Sequence, residues 1–223
     1  MNKLNHIAFI MDGNGRWGKK KKRGRNFGHY VGVKTVKKIV EESIKLKIPI
    51  ITLYVFSTEN WKRPKKEINF LFNLINSYFQ EELINVKQNG IKIKIMGEQS
   101  GLPINLKRIL KRTVNETSKN KKIVVNLALN YGSKKELINS FKKISNRKIS
   151  EKEFNRNLYT CGLPDPDILI RTGGKKRLSN FMLWQLAYAE LYFLDKLWPD
   201  FQPNDLRKIV NNFYKIKRNF GGI

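Results

Sequence analysis

Asp12 is the only acidic residue among the first forty positions, and it stands where the apolar run Ile7-Ala8-Phe9-Ile10-Met11 gives way to Gly13-Asn14-Gly15-Arg16-Trp17-Gly18. Its neighbourhood is basic, with Arg16, Lys19 to Lys22, Arg23 and Arg25 following closely. A carboxylate at the carboxyl end of a first strand lies where open α/β sheets place their ligands. Beside glycine amides and arginines it suits a magnesium-bound phosphate group: magnesium takes a carboxylate plus phosphate oxygens, and arginine grips phosphate through paired N–H donors.

Two further groups have the same character. Strand-like Ile50 to Phe56 runs into Ser57-Thr58-Glu59-Asn60-Trp61-Lys62-Arg63-Pro64, a polar segment that should face the first loop. Its plainer reading is a helix cap, with Ser57 or Asn60 accepting amide bonds ahead of Pro64. Ile170-Arg171-Thr172-Gly173-Gly174, with Arg177, Ser179 and Asn180, follows a short strand introduced by Pro164-Asp165-Pro166-Asp167 and offers a second phosphate grip. His29, after Phe27-Gly28, is on its own more often a capping or packing residue. With only His6 besides, there is no histidine cluster for zinc, so a metal here is a hard cation held by carboxylate and phosphate oxygens. Glu190 lies in the apolar stretch Ala187 to Phe193, where an unpaired carboxylate is costly; its expected partner is an arginine or a magnesium ion.

Gly13, Gly15 and Gly18 satisfy the G-x-G-x-x-G pattern, and Gly13 to Lys19 nearly completes a phosphate-binding loop. Both matches are weak. Lys20 replaces the hydroxyl residue that would hold magnesium, and no acidic residue follows before Glu41 and Glu42, which undercuts a nucleotide-dependent phosphotransferase. What survives is the approach of backbone amides to an anion, with Arg16 and Arg25 as side-chain grips.

These groups need a scaffold. The 223 residues, 40% hydrophobic and 28% charged, suit one domain spanning 1–223 with a sizeable core. His6 to Met11, Ile50 to Phe56, Ile91 to Met96, Ile123 to Leu129 and Ile168 to Ile170 read as strands. Between them, Val33, Val36, Val40 and Ile44 mark a helix face, and Ile104, Leu106, Ile109 and Leu110 fall in another helix. Strands alternating with helices predict a single-domain α/β fold, a mostly parallel sheet flanked by helices. The helix after Pro64 carries a core stripe of Ile68, Leu71, Phe72, Ile75 and Phe79 and a second apolar strip of Phe70, Leu74 and Tyr78. So wide an arc fits burial between sheet and a neighbouring helix or subunit, or the wall of an apolar channel for a long hydrocarbon.

The formal charge of +27 invites a nucleic-acid reading. Lysines are spread along the whole chain, however, and together with abundant Asn and Ile they read as compositional drift on a solvated face; no nucleic-acid partner is expected. The remaining charge favours an anionic lipid surface or small diphosphate ligands. Cys161 is the single cysteine, so no intramolecular disulfide forms; with strand-like sequence from about residue 6 and no run of about 18 apolar residues, the expected setting is cytoplasmic, with lipid contact peripheral at the inner face of the membrane.

With its motifs in this order, the chain resembles the cis-prenyltransferases, isoprenyl transferases of the undecaprenyl diphosphate synthase type. The resemblance covers nearly the full length and rests on His6 through Trp17, Phe27-Gly28-His29, Ser57-Thr58-Glu59-Asn60-Trp61, Asn130-Tyr131-Gly132, Ile170 through Gly174, and Leu183-Trp184-Gln185 through Trp198-Pro199-Asp200. It implies a homodimer with an apolar tunnel between sheet and helices. It also implies magnesium-dependent addition of isopentenyl diphosphate to an allylic diphosphate, farnesyl diphosphate above all, with a cis double bond formed each time. The product implied is undecaprenyl diphosphate, precursor of the lipid carrier for cell-wall glycans. By matching positions, Asp12 binds magnesium and assists departure of the allylic diphosphate, held by Gly13, Asn14, Gly15, Arg16, Arg25 and His29 with Trp17 lining the pocket. Ser57, Thr58, Glu59, Trp61 and Arg63 belong to a mobile catalytic loop in which Asn60 is the proton acceptor, or, since asparagine is a poor base, orients the phosphate oxygen or water that is. Arg171, Arg177, Leu178 and Ser179 hold isopentenyl diphosphate, and Glu190 is a second magnesium-associated carboxylate. Bulk at tunnel positions such as Val33 and Val55 bears on product length. The chain departs from the family's Arg-Arg-Phe-Gly-Gly ending: in Arg218-Asn219-Phe220-Gly221-Gly222, Asn219 stands where an arginine reaching the partner subunit's site is expected.

Overall fold

The five predicted strands all form, and a sixth accompanies them. In the computed structural model, which describes residues 2–144 and 150–219, β1 (His6–Ile10), β2 (Ile50–Ser57), β3 (Ile91–Met96), β4 (Ile123–Tyr131), β5 (Ile168–Arg171) and β6 (Glu190–Phe193) make one sheet in the order β3-β4-β2-β1-β5-β6. Every neighbouring pair is parallel. β1 is buried along its whole length, as its unbroken apolar sequence requires when helices cover both faces of a parallel sheet. β6 escaped prediction because it opens on Glu190 and lies half-exposed at the edge of the sheet.

The described residues form seven helices: α1 (Asn14–Lys20), α2 (Gly24–Lys45), α3 (Lys65–Gln88), α4 (Ile104–Thr117), α5 (Ser133–Lys142), α6 (Glu151–Asn157) and α7 (Pro203–Lys215). The larger core sits under α2, α3, α4 and α7, where Ile39, Phe72, Leu106 and Phe213 close over Phe9 and Leu53. On the other face Phe181, Met182 and Leu186 cover Ala8 and Leu169. After β1 the chain builds β2 on one side and later β5 on the other, so the crevice at their carboxyl ends is a topological switch point.

The glycine segment read as an open anion loop is a helix. Gly13 starts α1 with a φ of 111°, a left-handed conformation that glycine adopts without steric cost. α1 then lies directly on α2: a Cβ added to Gly28 would overlap the Asn14 carbonyl oxygen, and one on Gly18 would overlap that of Gly24. The glycine spacing that mimics a nucleotide fingerprint therefore serves close helix packing as well as any ligand.

At the amino-terminal end of the central strand β1, His6 is buried between the Pro164 carbonyl, 2.8 Å from Nδ1, and the Thr52 hydroxyl, 2.7 Å from Nε2. Among the described residues no helix is long and apolar enough to cross a membrane. Because α1 carries the mouth residues on a glycine contact, Gly28→Ala should displace it from α2 and lower stability by about 1–3 kcal/mol through overpacking. Chemical denaturation checks this, and an unchanged midpoint would contradict the contact.

Candidate active site

A cavity of about 700 Å³ runs between the sheet, α2 and α3 and opens at the carboxyl ends of β1, β2 and β5. Its interior is apolar, walled by Val33 and Val36 from α2, Leu53 and Val55 from β2, and Leu74 and Tyr78 from α3. The second apolar strip of α3 thus faces an open channel rather than a neighbouring helix, although Phe70 is half-buried outside it. Likewise Val33 and Val36 line the cavity, whereas Val40, on the same helix face, joins the core.

Asp12 marks the mouth. Its main-chain carbonyl accepts the Trp198 amide at 3.0 Å and the Thr172 hydroxyl at 2.8 Å. Its carboxylate spans two guanidinium groups, Oδ1 3.2 Å from Arg16 Nη2 and Oδ2 3.1 Å from Arg171 Nη2. The Arg171 side chain is only 4% exposed; it donates to Ser179 Oγ at 2.7 Å and to the Arg177 carbonyl, while its Nε is buried with no hydrogen-bond partner among the described residues. Arg177 and Ser179 line the cavity, and Leu178 packs instead against the smaller core cluster.

A second charged group, missed in the sequence, is centred on Glu67 in the first turn of α3. Its carboxylate takes Arg25 Nε at 2.9 Å and Nη2 at 3.0 Å, Arg63 Nη1 at 3.2 Å, and lies 3.4 Å from His29 Nε2. Glu67 is only 8% exposed, and the two arginines draw its carboxyl below the usual carboxylate range. Burial, then the Arg63 charge, pushes His29 down to about 4, so it is neutral near pH 7.

The segment after β2 folds as a tight 3-10 turn, Thr58–Lys62. Asn60 Oδ1 accepts the Ser57 amide at 3.2 Å, a capping box of the turn itself, whereas α3 begins after Pro64 with no side-chain cap; Ser57, Glu59 and Asn60 all border the cavity. Glu59 is held by Asn180 Nδ2 at 2.8 Å, and Thr58 lies over Gly132. Trp61 turns away, its Nε1 2.7 Å from Asn130 Oδ1 and its ring against Phe56 and Phe72. Trp17 also sits outside the cavity lining, stacked on Phe27 and bonded to Asp200 at 2.7 Å. Gly13 and Gly15 are buried behind Asn14, which does line the cavity.

Glu190 is elsewhere. The register pairs Ile7 with Ile168 and Ile168 with Glu190, so Glu190 lies level with the start of β1, roughly 15 Å along the strands from Asp12. Within one subunit the two carboxylates cannot share a cation. The partner found is an arginine, Arg218, 3.6 Å away. Arg218 also bonds Asp167 at 2.9 Å and the Tyr188 carbonyl at 2.6 Å, so it is engaged within its own chain; Phe220, Gly221 and Gly222 lie outside the described residues. No group of three or more His, Cys, Asp or Glu that could hold a metal occurs among the described residues.

An arginine-rimmed mouth over a hydrocarbon-lined cavity, built at the switch point of a parallel sheet, defines an enzyme of the prenyltransferase class. The family profile described as putative undecaprenyl diphosphate synthase matches residues 10–221, and the chain belongs to that family, the cis-prenyltransferases, which elongate prenyl chains. The chain is similar to the isoprenyl transferase of Clostridium perfringens (45% identical, covering 98% of this chain and 90% of that protein) and to that of Helicobacter pylori (46% identical, 98% and 97%). Among solved structures it resembles lavandulyl diphosphate synthase from Lavandula x intermedia in complex with dimethylallyl diphosphate (TM-score 0.93, 31% identical, 98% of both chains). It also resembles a probable undecaprenyl diphosphate synthase from Campylobacter jejuni (TM-score 0.85, 35% identical, 100% of both chains).

Burial pushes His6, like His29, down to about 4. The unfolded chain takes up these protons from about pH 6.5 downward while the fold resists them, so acidification through that window destabilises, by roughly 2 kcal/mol per histidine between pH 7 and pH 5. Thermal melts should show a lower midpoint at pH 5 than at pH 7 and a smaller difference in His6→Gln; equal slopes in both proteins would contradict the assignment.

Proposed function

We propose that the protein adds isopentenyl diphosphate repeatedly to an allylic diphosphate, farnesyl diphosphate above all, and releases a long cis-polyprenyl diphosphate, undecaprenyl diphosphate by the family's description. The observation that carries this reading is the junction of a charged mouth with an apolar cavity of about 700 Å³.

In this reading the allylic diphosphate lies on the Arg25, His29 and Arg63 side, with Asn14 and the amides that open α1, and its hydrocarbon tail enters between Val33 and Leu74. Isopentenyl diphosphate takes the Arg171, Arg177 and Ser179 side, all three of which line the cavity. Asp12, 32% exposed at the mouth, fits a magnesium ion carried by a diphosphate, since one carboxylate plus phosphate oxygens and water complete its coordination. That ion would neutralise charge on the departing diphosphate. As the allylic carbon–oxygen bond breaks, the isopentenyl double bond supplies the electrons of the new carbon–carbon bond, and a proton is lost to form the new double bond. Arginine donors stabilise the leaving group while apolar walls keep water from the carbocation-like centre. With its carbonyl oxygen taken by the Ser57 amide, Asn60 presents its amide N–H groups and orients a phosphate oxygen that takes the proton. Trp61 anchors this loop through Asn130.

A homodimer belongs to the proposal: Trp184, Tyr188 and Leu191 are exposed beside the edge strand β6, an apolar surface suited to a second copy. So does work in the cytoplasm at an anionic membrane surface, supported by the charge of +27.

Incubating the protein with radiolabelled isopentenyl diphosphate, farnesyl diphosphate and magnesium should give long extractable products, reduced roughly 100-fold or more in Asp12→Ala. No product from a folded wild type with farnesyl, shorter or longer starters would overturn the reading. Val33→Trp and Val55→Trp should each shorten the products, as chromatography by chain length would show; unchanged lengths would remove these side chains from the path of the tail.

A further inference from the structure

Glu67 is a buried carboxylate that no sequence motif singles out, yet it joins three elements just behind His29 and Arg63, which line the cavity. Arg25 comes from the first turn of α2 with His29 one turn further on, Arg63 follows the 3-10 turn of the catalytic loop, and Glu67 itself starts α3. Its geometry leaves donors to spare. Arg25 spends Nε and Nη2 on the carboxylate, and its remaining face lies against Gly15, where a side chain on α1 would collide with the guanidinium. Arg63 spends only Nη1 and still lines the cavity. Two guanidinium groups against one carboxylate, with His29 neutral, leave a positive surplus whose direction the carboxylate sets.

We infer that Glu67 is a positioning residue for the allylic diphosphate: it fixes the planes of Arg25 and Arg63 so that their unspent N–H groups converge on one anion, and it ties the catalytic loop to α2 and α3. The inference rests on the reading that these arginines, and not Arg171 and Arg177, meet the allylic substrate. A carboxylate that merely lowered the local positive potential would act in the opposite sense, since its removal would strengthen anion binding. A positioning carboxylate weakens binding when removed, because each guanidinium is then free to turn away from the shared ligand.

Glu67→Gln keeps the volume and removes the charge; Glu67→Asp keeps the charge and withdraws it by one methylene. The expected result for Glu67→Gln is an allylic-substrate KM raised about tenfold, the scale of one lost charge-assisted hydrogen bond, with the KM for isopentenyl diphosphate changed less than about twofold. Glu67→Asp should fall between Gln and wild type. Titration with inorganic diphosphate and magnesium, followed by calorimetry on the same folded proteins, should show the same order of affinity without any turnover. Tighter diphosphate binding in Glu67→Gln, or an equal rise in both KM values, would overturn the positioning role. If the wild type makes no prenyl product, the function proposed above fails, and the calorimetric order still decides the role of Glu67.

Discussion

The main chain of Asp12 is the fixed point on which the mouth depends. Its carbonyl is held by an amide from the segment after β6 and a hydroxyl from the segment after β5, so three stretches of chain distant in sequence are registered on one peptide group. The side chain then separates Arg16 from Arg171, two like charges that would otherwise repel across the opening of a partly desolvated cavity. In a protein so rich in lysine and arginine, the placement of its few carboxylates decides which cations are held still.

The same arrangement recurs on the other side of the opening, where Glu67 stands between Arg25 and Arg63. Each group opposes one carboxylate to two guanidiniums. The pairing holds the arginines in place before any ligand arrives and leaves a net positive charge on each side, which is the preorganisation that stabilises charge as it develops. Two separate cationic groups across one cavity suit two anionic headgroups at once, and the 3-10 turn bearing Asn60 lies between them.

Much of this was legible in the sequence where local pattern and tertiary role coincide. β1, β2, β4 and β5 announce themselves as apolar runs because the sheet buries both of their faces, β3 shows itself instead by the alternation Ile-Lys-Ile-Lys-Ile of an edge strand, and the wide apolar arc of α3 announced the cavity because Leu71, Ile75 and Phe79 of one strip and Leu74 and Tyr78 of the other all line it. α1 was not legible: two of its seven residues are glycines with poor helix propensity, and its stability comes from docking on Gly28. Glu67 looked like an ordinary acidic residue of a first helical turn, and only the fold brings Arg25 to it across 42 positions. Glu190 was flagged for its cost among apolar neighbours; of the two partners that would offset the cost, the fold supplies Arg218.

The cavity walls have a thermodynamic consequence for any chain that grows inside them. Burying a methylene contributes about 0.8 kcal/mol, so each five-carbon unit drawn past Val33 and Leu74 is worth roughly 3–4 kcal/mol of added retention. Intermediates would therefore be held more tightly the longer they become, which favours processive growth over release and rebinding. That gain ends when the volume is filled: the next unit compresses the tail or pushes it into water, and the free-energy slope that retained the chain reverses.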